Sequence, residues 1–278
     1  MSILKKYQPT TPSRRKSSVV HYSKILTGDA PTKNLLVRKA NSAGRNNHGK
    51  ITVRHRGGGY KRMVRVIDYK KNFTEGFKVT TIEYDPNRTA FISLVVNMAT
   101  GVKSYILYTK GMEVGKVYDN DSEISEGSSM PLADAPVGSF VSQIEYNPNG
   151  GAKLVRSAGN YAVVTAKDGA YVTLKLPSGE LRKFLATCKC TLARMSNEAH
   201  GLVRIGKAGK IRHKGRRPQV RGKVMNPVDH PHGGGEARNS IGLKYPKTPW
   251  GKHALGVKTR DKKLASSRLI VARRNKKK

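Results

Sequence analysis

This sequence of 278 residues has little cysteine, little acid and no long apolar run. Its two cysteines, Cys188 and Cys190, cannot build a disulfide framework, which is typical of proteins from reducing compartments. No apolar run approaches the roughly 20 residues of a membrane-spanning helix. The N-terminus has no apolar segment typical of secretion, although Arg and Ser without acids there resemble an organellar transit peptide. These absences predict a soluble protein.

The sequence has few acidic residues, and its large excess of positive charge indicates a negatively charged partner. There are 18 Asp and Glu against 54 Lys and Arg, a formal net charge of +36. Residues 1–65 carry +15 and residues 201–278 carry +20, which leaves +1 for the centre. A large polyanion is therefore the expected partner. Because the two basic ends are poor in large apolar side chains, we expect them to be loose in the free protein and ordered against that partner.

The neutral centre predicts short strands. β-branched and aromatic runs separated by turn residues lie at 62–67, 77–84, 90–96 and 102–108, and again at 140–146, 161–166, 171–176 and 181–186. The pair Asp168-Gly169 predicts a type I′ hairpin turn, and a helical turn is expected near residues 195–200. The predicted fold class is mainly β, with two small barrels in tandem and long basic N- and C-terminal extensions.

The predicted domain boundaries follow from these patterns. A basic extension (1–60) precedes a first barrel (61–120), a Ser-rich acidic linker (121–137), a second barrel (138–200) and a basic, Gly-rich extension (201–278).

Two patterns raise the question of enzymatic or metal chemistry. Residues 201–208 match a phosphate loop until the last position, where Ala208 replaces the magnesium-binding hydroxyl; the strand–loop–helix context is also missing. A loop whose amides and Lys207 meet an RNA phosphate is the preferred interpretation. Cys188 and Cys190 offer two thiolates to zinc, but no second Cys pair exists. Buried thiols at the end of a strand are the simpler interpretation.

The segment VDHPHGGGE (residues 228–236) is the main candidate site. Its imidazoles and carboxylates are elements of a metal site, but in a segment that Pro231 keeps extended these groups are not expected to converge on one point. No Ser, Cys or Lys is placed as a nucleophile. Consecutive glycines allow positive φ and a close approach of backbone amides to phosphate. We therefore predict an RNA-contacting loop, with a metal site and a catalytic group as alternatives.

A second segment, RHRGGGYKR (residues 54–62), has the same composition of glycine, basic residues, one His and one aromatic. A flexible basic linker is the alternative interpretation. Arginine suits an RNA contact because its planar guanidinium binds phosphate in a bidentate way and stacks on bases.

Several segments together resemble the family of large ribosomal subunit protein two, in its bacterial form. They are RRKSS (14–18), GRNNHGKITVRHRGGGYKR (44–62), EYDPNRTA (83–90), RSAGNYAVV (156–164), LPSGELRK (176–183), VMNPVDHPHGGGEARN (224–239) and TPWG (248–251). The resemblance runs from about Tyr7 to Arg274, which leaves little room for a transit peptide.

The resemblance implies an oligonucleotide-binding (OB) fold followed by an SH3-like barrel, both seated on large-subunit ribosomal RNA. It implies a structural role at the peptidyl transferase region, in subunit association and, indirectly, in tRNA binding. Expected partners are this RNA, neighbouring ribosomal proteins and the small subunit, without a membrane. The expected location is the cytoplasmic ribosome, with an organellar ribosome as an alternative. No catalytic residue, metal or cofactor is implied, and the family's prominent loop His maps onto His230.

The residue patterns and the resemblance together give one set of candidate RNA-binding residues. They are Arg14, Arg15, Arg45, Arg54, His55, Arg56, Gly57, Gly58, Gly59, Lys61, Arg62, Lys207, Arg212, Arg216, Arg217, Arg221, His230, His232, Gly233, Gly234, Gly235, Arg238, Trp250, Lys258, Arg260, Arg273 and Arg274.

The sequence departs from the family pattern in two places. Ala237 stands where the family has Gly after GGGE, which predicts local strain if that position needs positive φ. SIGLKYPK (240–247) precedes TPWG like an insertion, and the path of residues 240–260 is not predicted.

Two other hypotheses for the function stay open: a metal-dependent hydrolytic site at the 228–236 segment, and a nonspecific polyanion binder.

Overall fold

A computed structural model describes residues 3–28, 30–73, 75–118, 125–236, 238–261 and 263–274. The chain divides into two compact units. The barrel unit comprises residues 1–40, 61–207 and 265–278, and the basic unit comprises residues 41–60 and 208–264. Residues 119–124, where the predicted linker begins, and Ala237 lie outside the described residues.

The strands are short, and all those within the described ranges belong to the barrel unit. They are β1 (Leu4–Lys6), β2 (Ser18–Val20), β3 (Leu36–Arg38), β4 (Met63–Arg65), β5 (Phe77–Glu83), β6 (Ile92–Asn97), β7 (Lys103–Leu107), β8 (Val117–Tyr118), β9 (Ser129–Pro131), β10 (Phe140–Ser142), β11 (Ile144–Glu145), β12 (Ala152–Leu154), β13 (Ala162–Asp168), β14 (Tyr171–Lys175), β15 (Leu181–Leu185), β16 (Lys189–Leu192) and β17 (Ile270–Ala272).

Helices are short in both units. The α-helices are α1 (Pro12–Arg15) and α2 (Ala208–His213), and 3₁₀ helices lie at Tyr22–Lys24, Lys33–Leu35, Glu198–Leu202, Gly222–Val224 and Ala265–Ser267. The helical turn predicted near residues 195–200 corresponds to Glu198–Leu202. Among the residues with described positions, no helix is both long and apolar enough to cross a bilayer.

The first β body is an antiparallel sheet in the order β7-β6-β5-β8. Successive residues of a strand point to opposite faces, so Val95 of β6 packs with Phe77 and Ile106, whereas Leu94 packs with Tyr105 and Leu107. Both faces of the sheet are therefore covered. The strand predicted at 62–67 is instead β4, which pairs with β3 in a separate two-stranded sheet.

The second β body is an antiparallel sheet in the order β17-β15-β14-β13-β10-β16-β9. Its core alternates along the strands and includes Val141, Val164, Leu174 and Phe184. The predicted hairpin between β13 and β14 forms, with Asp168 opposite Tyr171. The predicted type I′ turn is wrong, because φ is positive at Gly169 (+53°) but not at Ala170, the pattern of type II′.

Segments from both basic ends join these sheets. β1 pairs with β2, and β17 is added to β15 as an edge strand. The composition of the ends did not indicate this, because Ile270-Val271-Ala272 is a short apolar run among basic residues. The mainly β architecture with two successive β bodies is confirmed.

One family-like segment has a structural role. In EYDPNRTA, the buried Asp85 carboxylate accepts a hydrogen bond from the Arg88 Nε at 2.5 Å and another from the Asn87 backbone N–H at 2.8 Å. Arg88 also donates to the Tyr69 hydroxyl at 2.7 Å. These bonds hold the turn between β5 and β6.

A lysine is buried between segments of the two β bodies. The Lys71 ammonium donates to Thr191 Oγ1 of β16 at 2.9 Å, and Lys71 is 7% exposed. Burial lowers the pKa of Lys71 from 10.5 to about 7, against an opposing effect of Asp68.

Candidate nucleic-acid interface

The basic unit contains residues 54–60 of the first Gly-rich segment and the whole of the second, residues 228–236. Its 77 residues include 19 Lys and Arg and three Asp and Glu, a formal charge of +16. With α2 and one 3₁₀ helix as its regular elements in the described ranges, this unit is built mainly from turns and backbone pairings. A dense positive charge on a loop-built body favours contact with a polyanion.

Backbone hydrogen bonds hold the first Gly-rich segment against residues 211–217. The Gly57 N–H donates to the Gly215 carbonyl, the Arg217 N–H to the His55 carbonyl and the Tyr60 N–H to the His213 carbonyl, each at 3.0 Å. Arg56 and Arg216 form an antiparallel bridge. The Tyr60 hydroxyl also lies 3.0 Å from His213 Nδ1. The pairing places arginines from distant parts of the sequence side by side.

Each glycine triplet uses its residues in two ways. Two glycines of each triplet have positive φ: Gly57, Gly58, Gly234 and Gly235. The third glycine is required by close packing. A Cβ on Gly59 would lie 3.0 Å from the Cα and N of Gly215, and one on Gly233 would collide with the Asn226 carbonyl. The predicted dependence on glycine conformation is thus confirmed at four of the six positions, and the other two depend on space.

The 228–236 segment is a pair of turns. The N–H groups of Asp229 and His230 donate to the Asn226 carbonyl at 3.0 and 3.3 Å, and the Gly233 N–H donates to the His230 carbonyl at 2.8 Å. The imidazoles of His230 and His232 therefore lie together, with ring centroids 4.7 Å apart. The expectation that these side chains do not converge is wrong for the two imidazoles, because the chain forms turns around Pro231 that bring the rings together.

Both imidazoles accept hydrogen bonds from the backbone and so stabilise the loop. His230 Nδ1 accepts the His232 backbone N–H at 3.0 Å, and His232 Nε2 accepts the Lys247 backbone N–H at 2.8 Å. His230 is 8% exposed and lies against Gly222. Within the ranges with described coordinates, no three His, Cys, Asp or Glu residues form a group able to hold a metal ion.

The path of residues 240–260 includes a small hairpin. Lys247 bridges to His253, and the Thr248 N–H donates to the Lys252 carbonyl at 2.7 Å. The Trp250 side chain at its tip is 73% exposed, and the Arg54 guanidinium carbon lies 5.7 Å from the ring centroid. An exposed indole beside a guanidinium is suited to stacking on a nucleobase.

The structure divides the candidate RNA-binding residues between the units. The barrel unit holds Arg14, Arg15, Lys61, Arg62, Lys207, Arg273 and Arg274. The basic unit holds Arg45, Arg54, His55, Arg56, Gly57, Gly58, Gly59, Arg212, Arg216, Arg217, Arg221, His230, His232, Gly233, Gly234, Gly235, Arg238, Trp250, Lys258 and Arg260. Among these barrel-unit residues, Arg62 also stabilises the fold: its guanidinium donates a hydrogen bond to the Pro86 carbonyl at 2.7 Å.

The structure also shows where the residues of the phosphate-loop pattern and the two thiols lie. Residues 201–208 begin inside the 3₁₀ helix Glu198–Leu202 and not after a strand, although α2 does begin at Ala208. The Arg204 N–H and carbonyl instead bond with Ser18. Cys188 and Cys190 are buried free thiols at the start of β16. Burial raises the pKa of Cys188 to about 11 and that of Cys190 to about 12.

Sequence reasoning missed one cluster of the barrel unit. The Arg194 guanidinium carbon lies 4.1 Å from the Phe140 ring centroid and 4.4 Å from that of Tyr161. The three residues are separated in the sequence and meet only through the pairing of neighbouring strands. No spacing in the sequence could have indicated the cluster.

Two family models match the chain. Residues 32–118 match the model described as Ribosomal Proteins L2, RNA binding N-terminal domain, and residues 125–251 match the model described as Ribosomal Proteins L2, C-terminal domain. Together the matches include the first β body, the second β body apart from β17, and both Gly-rich segments.

Proposed function

This chain belongs to the ribosomal protein L2 family, and we propose that its basic unit is its principal contact with large-subunit ribosomal RNA. As a member of this family it is an RNA-binding structural protein of the ribosome, and its β bodies fit an OB-fold and an SH3-like barrel. We assign the OB-fold to residues 61–120 and the SH3-like barrel to residues 138–200, with residues 1–60 and 201–278 as the basic extensions.

One observation supports the proposal about the basic unit most strongly. Two Gly-rich basic segments that are distant in the sequence share one compact body with a formal charge of +16. Glycines let the backbone approach an RNA surface without an intervening side chain, although the N–H groups of Gly57, Gly233 and Gly234 already donate within the unit. The arginines beside them can bind phosphate with two parallel hydrogen bonds. Such contacts position a protein on folded RNA without reading its sequence.

The finer roles extend this proposal. In it, the protein braces the peptidyl transferase region, supports association with the small subunit and affects tRNA binding indirectly, beside neighbouring ribosomal proteins. It is not an enzyme. The engaged Nδ1 of His230 supports a role for this residue in organising the loop, because that nitrogen already accepts the His232 N–H. The ribosome concerned is the cytoplasmic one.

The test is footprinting of large-subunit ribosomal RNA by the full chain across a salt series with competitor RNA. Variant His230→Ala is compared with His48→Ala, which removes an exposed imidazole of the same unit. We expect discrete protections that survive competitor and a loss of a subset in His230→Ala only. The log–log salt slope should steepen by about 0.7 to 0.9 per phosphate contact.

Diffuse protection that fades uniformly with salt would instead show a generic polycation. The hydrolytic alternative makes a different prediction, namely stoichiometric metal that is lost together with RNA cleavage in His230→Ala. The two imidazoles lie close together, but in the described part of the chain no third His, Cys, Asp or Glu joins them to form a group able to hold a metal ion.

A further inference from the structure

The barrel unit contains a surface cavity of about 480 Å³ outside the basic unit. Its lining includes Lys110, Glu126, Phe140, Leu192 and Arg194. The volume falls within the range of about 300–1,000 Å³ that is usual for small-ligand sites. We propose that this cavity binds a single unstacked RNA nucleotide whose base carries an exocyclic amino group. The inference rests on the proposed function and adds a site to it.

Arg194 supplies the anion-binding group. The two rings that flank it, Phe140 and Tyr161, are themselves in edge-to-face contact, with centroids 4.8 Å apart. Across the described part of the chain, the Arg194 guanidinium has no hydrogen bond or ion pair with another side chain. Its orientation is fixed by the rings while its N–H donors stay available, which is the arrangement that binds phosphate in a bidentate way.

The backbone that presents Arg194 is strained. Ala193, directly before it, has φ of +131° and is 4% exposed. Hydrogen bonds on both sides hold this conformation: the Ala193 N–H donates to the Phe140 carbonyl, and the Lys110 N–H donates to the Arg194 carbonyl, each at 2.9 Å. Strained non-glycine residues cost about 1–3 kcal/mol and cluster at functional sites. The strain here redirects the chain after β16 so that Arg194 reaches the rings.

The remaining lining defines the ligand. Phe140, 38% exposed, and Leu192 give an apolar wall on which a base can stack. The Lys110 ammonium adds positive charge; its ion pair with Glu198, at 3.4 Å, is exposed and therefore weak. The Glu126 carboxylate accepts hydrogen bonds only, so it favours a base edge with an amino group, as in cytosine, over the carbonyl edge of uracil.

The same features disfavour an acidic peptide as the occupant. A peptide carboxylate would gain from Arg194 but be repelled by Glu126, and it would leave the ring surface unused. Single-stranded bases, by contrast, are recognised by stacking on aromatic rings or guanidinium planes together with hydrogen bonds to their edges. The cavity offers all three elements within a β body of nearly neutral sequence.

The test is an NMR titration of the full chain, with labelled Phe and Tyr rings, using CMP, UMP and inorganic phosphate as separate probes. We expect saturable shifts of the Phe140 and Tyr161 signals with CMP, and at least tenfold weaker binding of UMP. Arg194→Lys and Phe140→Leu should each weaken CMP binding at least tenfold. Arg156→Lys is the matched control, because Arg156 lies 4.8 Å from the Tyr69 ring, away from the cavity.

Three results would overturn the proposal: equal shifts with phosphate alone, equal binding of CMP and UMP, or unchanged CMP binding in Arg194→Lys. Thermal unfolding of each variant establishes that it is folded. In the ribosomal RNA footprint, Arg194→Lys should lose protection at one nucleotide and keep the rest. Failure of the wild-type chain to protect the RNA would reject the proposed function, whereas normal protection with no cavity binding would reject only the nucleotide site.

Discussion

The backbone N–H of His232 donates to Nδ1 of His230 at 3.0 Å. The ring that the sequence offers as a base or a metal ligand is therefore a hydrogen-bond acceptor inside its own loop. In the same way, the backbone N–H of Lys247 donates to Nε2 of His232 at 2.8 Å. The two imidazoles connect the 228–236 segment to the hairpin that carries Trp250, so the shape of one depends on the other.

Gly222→Ala should disturb this loop without changing any polar group. A Cβ at position 222 would lie 2.5 Å from His230 Nδ1, so the imidazole must move and its bond to His232 is lost. We expect affinity for a large-subunit RNA fragment to fall roughly tenfold, or about 1.4 kcal/mol. Filter binding at fixed salt measures this.

Gly209→Ala is the control for Gly222→Ala. A Cβ at position 209, in α2, meets nothing within 4 Å, and alanine favours a helix. Its RNA affinity should equal that of the wild type. Equal affinity in both variants would show that the position of His230 does not matter for binding.

Trp250 should report RNA binding directly. It is the only tryptophan in the chain and is 73% exposed. We expect its fluorescence to become protected from acrylamide when RNA binds, since base stacking covers the indole. Trp250→Ala should weaken binding by about 1–3 kcal/mol, with Trp250→Phe intermediate.

Leu255→Ala tests whether any exposed apolar side chain of this unit would behave like Trp250. Leu255 is also 73% exposed, but it has no aromatic ring. Its removal should leave affinity unchanged. Unprotected Trp250 fluorescence in a saturated complex would rule out stacking at the hairpin tip.

The stability of the barrel unit should rise with pH above neutrality because of Lys71. In the folded chain the pKa of Lys71 is about 7, whereas the unfolded chain has the ordinary value of 10.5. Between these values the unfolded state binds more protons, so the free energy of unfolding rises with pH; below about 7 both states are protonated and the slope disappears. The slope should be about 1 kcal/mol per pH unit.

Urea unfolding at several pH values between 7 and 10 measures the slope. Lys71→Met should abolish it. Lys70→Met removes the neighbouring, exposed lysine and should keep it. A wild-type slope that persists in Lys71→Met would assign the pH dependence to other groups.

Asp85→Asn should destabilise the barrel unit by about 3 kcal/mol, because it leaves a partly buried guanidinium without its carboxylate. The Asp85 side chain is fully buried, while Arg88 is 20% exposed. Asp168→Asn is the control: it breaks the exposed pair with Lys183 and should cost less than about 1 kcal/mol. Thermal unfolding compares the two, and equal costs would mean that burial does not strengthen the Asp85 pair.

The residue pattern predicted the strands whose position depends on local alternation of apolar and polar side chains. Alternating apolar residues placed β5, β6 and β7 and the strands of the second body, because each strand buries one or both faces. The sequence did not predict that Gln143, with φ of +51°, divides the strand predicted at 140–146 into β10 and β11. Nor did it predict β17, whose formation depends on a free edge of β15 far away in the chain.

The candidate site shows the same limit. Glycine triplets among arginines were visible in the sequence, and they do lie in one basic unit. The contact between His230 and His232 was predicted wrongly, because it depends on backbone hydrogen bonds among residues 226–233 that the residue pattern does not indicate. The Arg194 cluster needed the strand pairing itself.

The pairing of residues 55–60 with residues 213–217 has a consequence for biosynthesis. Translation releases the first segment more than 150 residues before its partner, so these hydrogen bonds can form only after a long loop closes. Most of the β bodies can fold during that interval. A chain that ends at residue 200 would lack the partner of residues 41–60, and we expect those residues to lose their order as well. Deletion of the C-terminal segment would therefore also disrupt the N-terminal one.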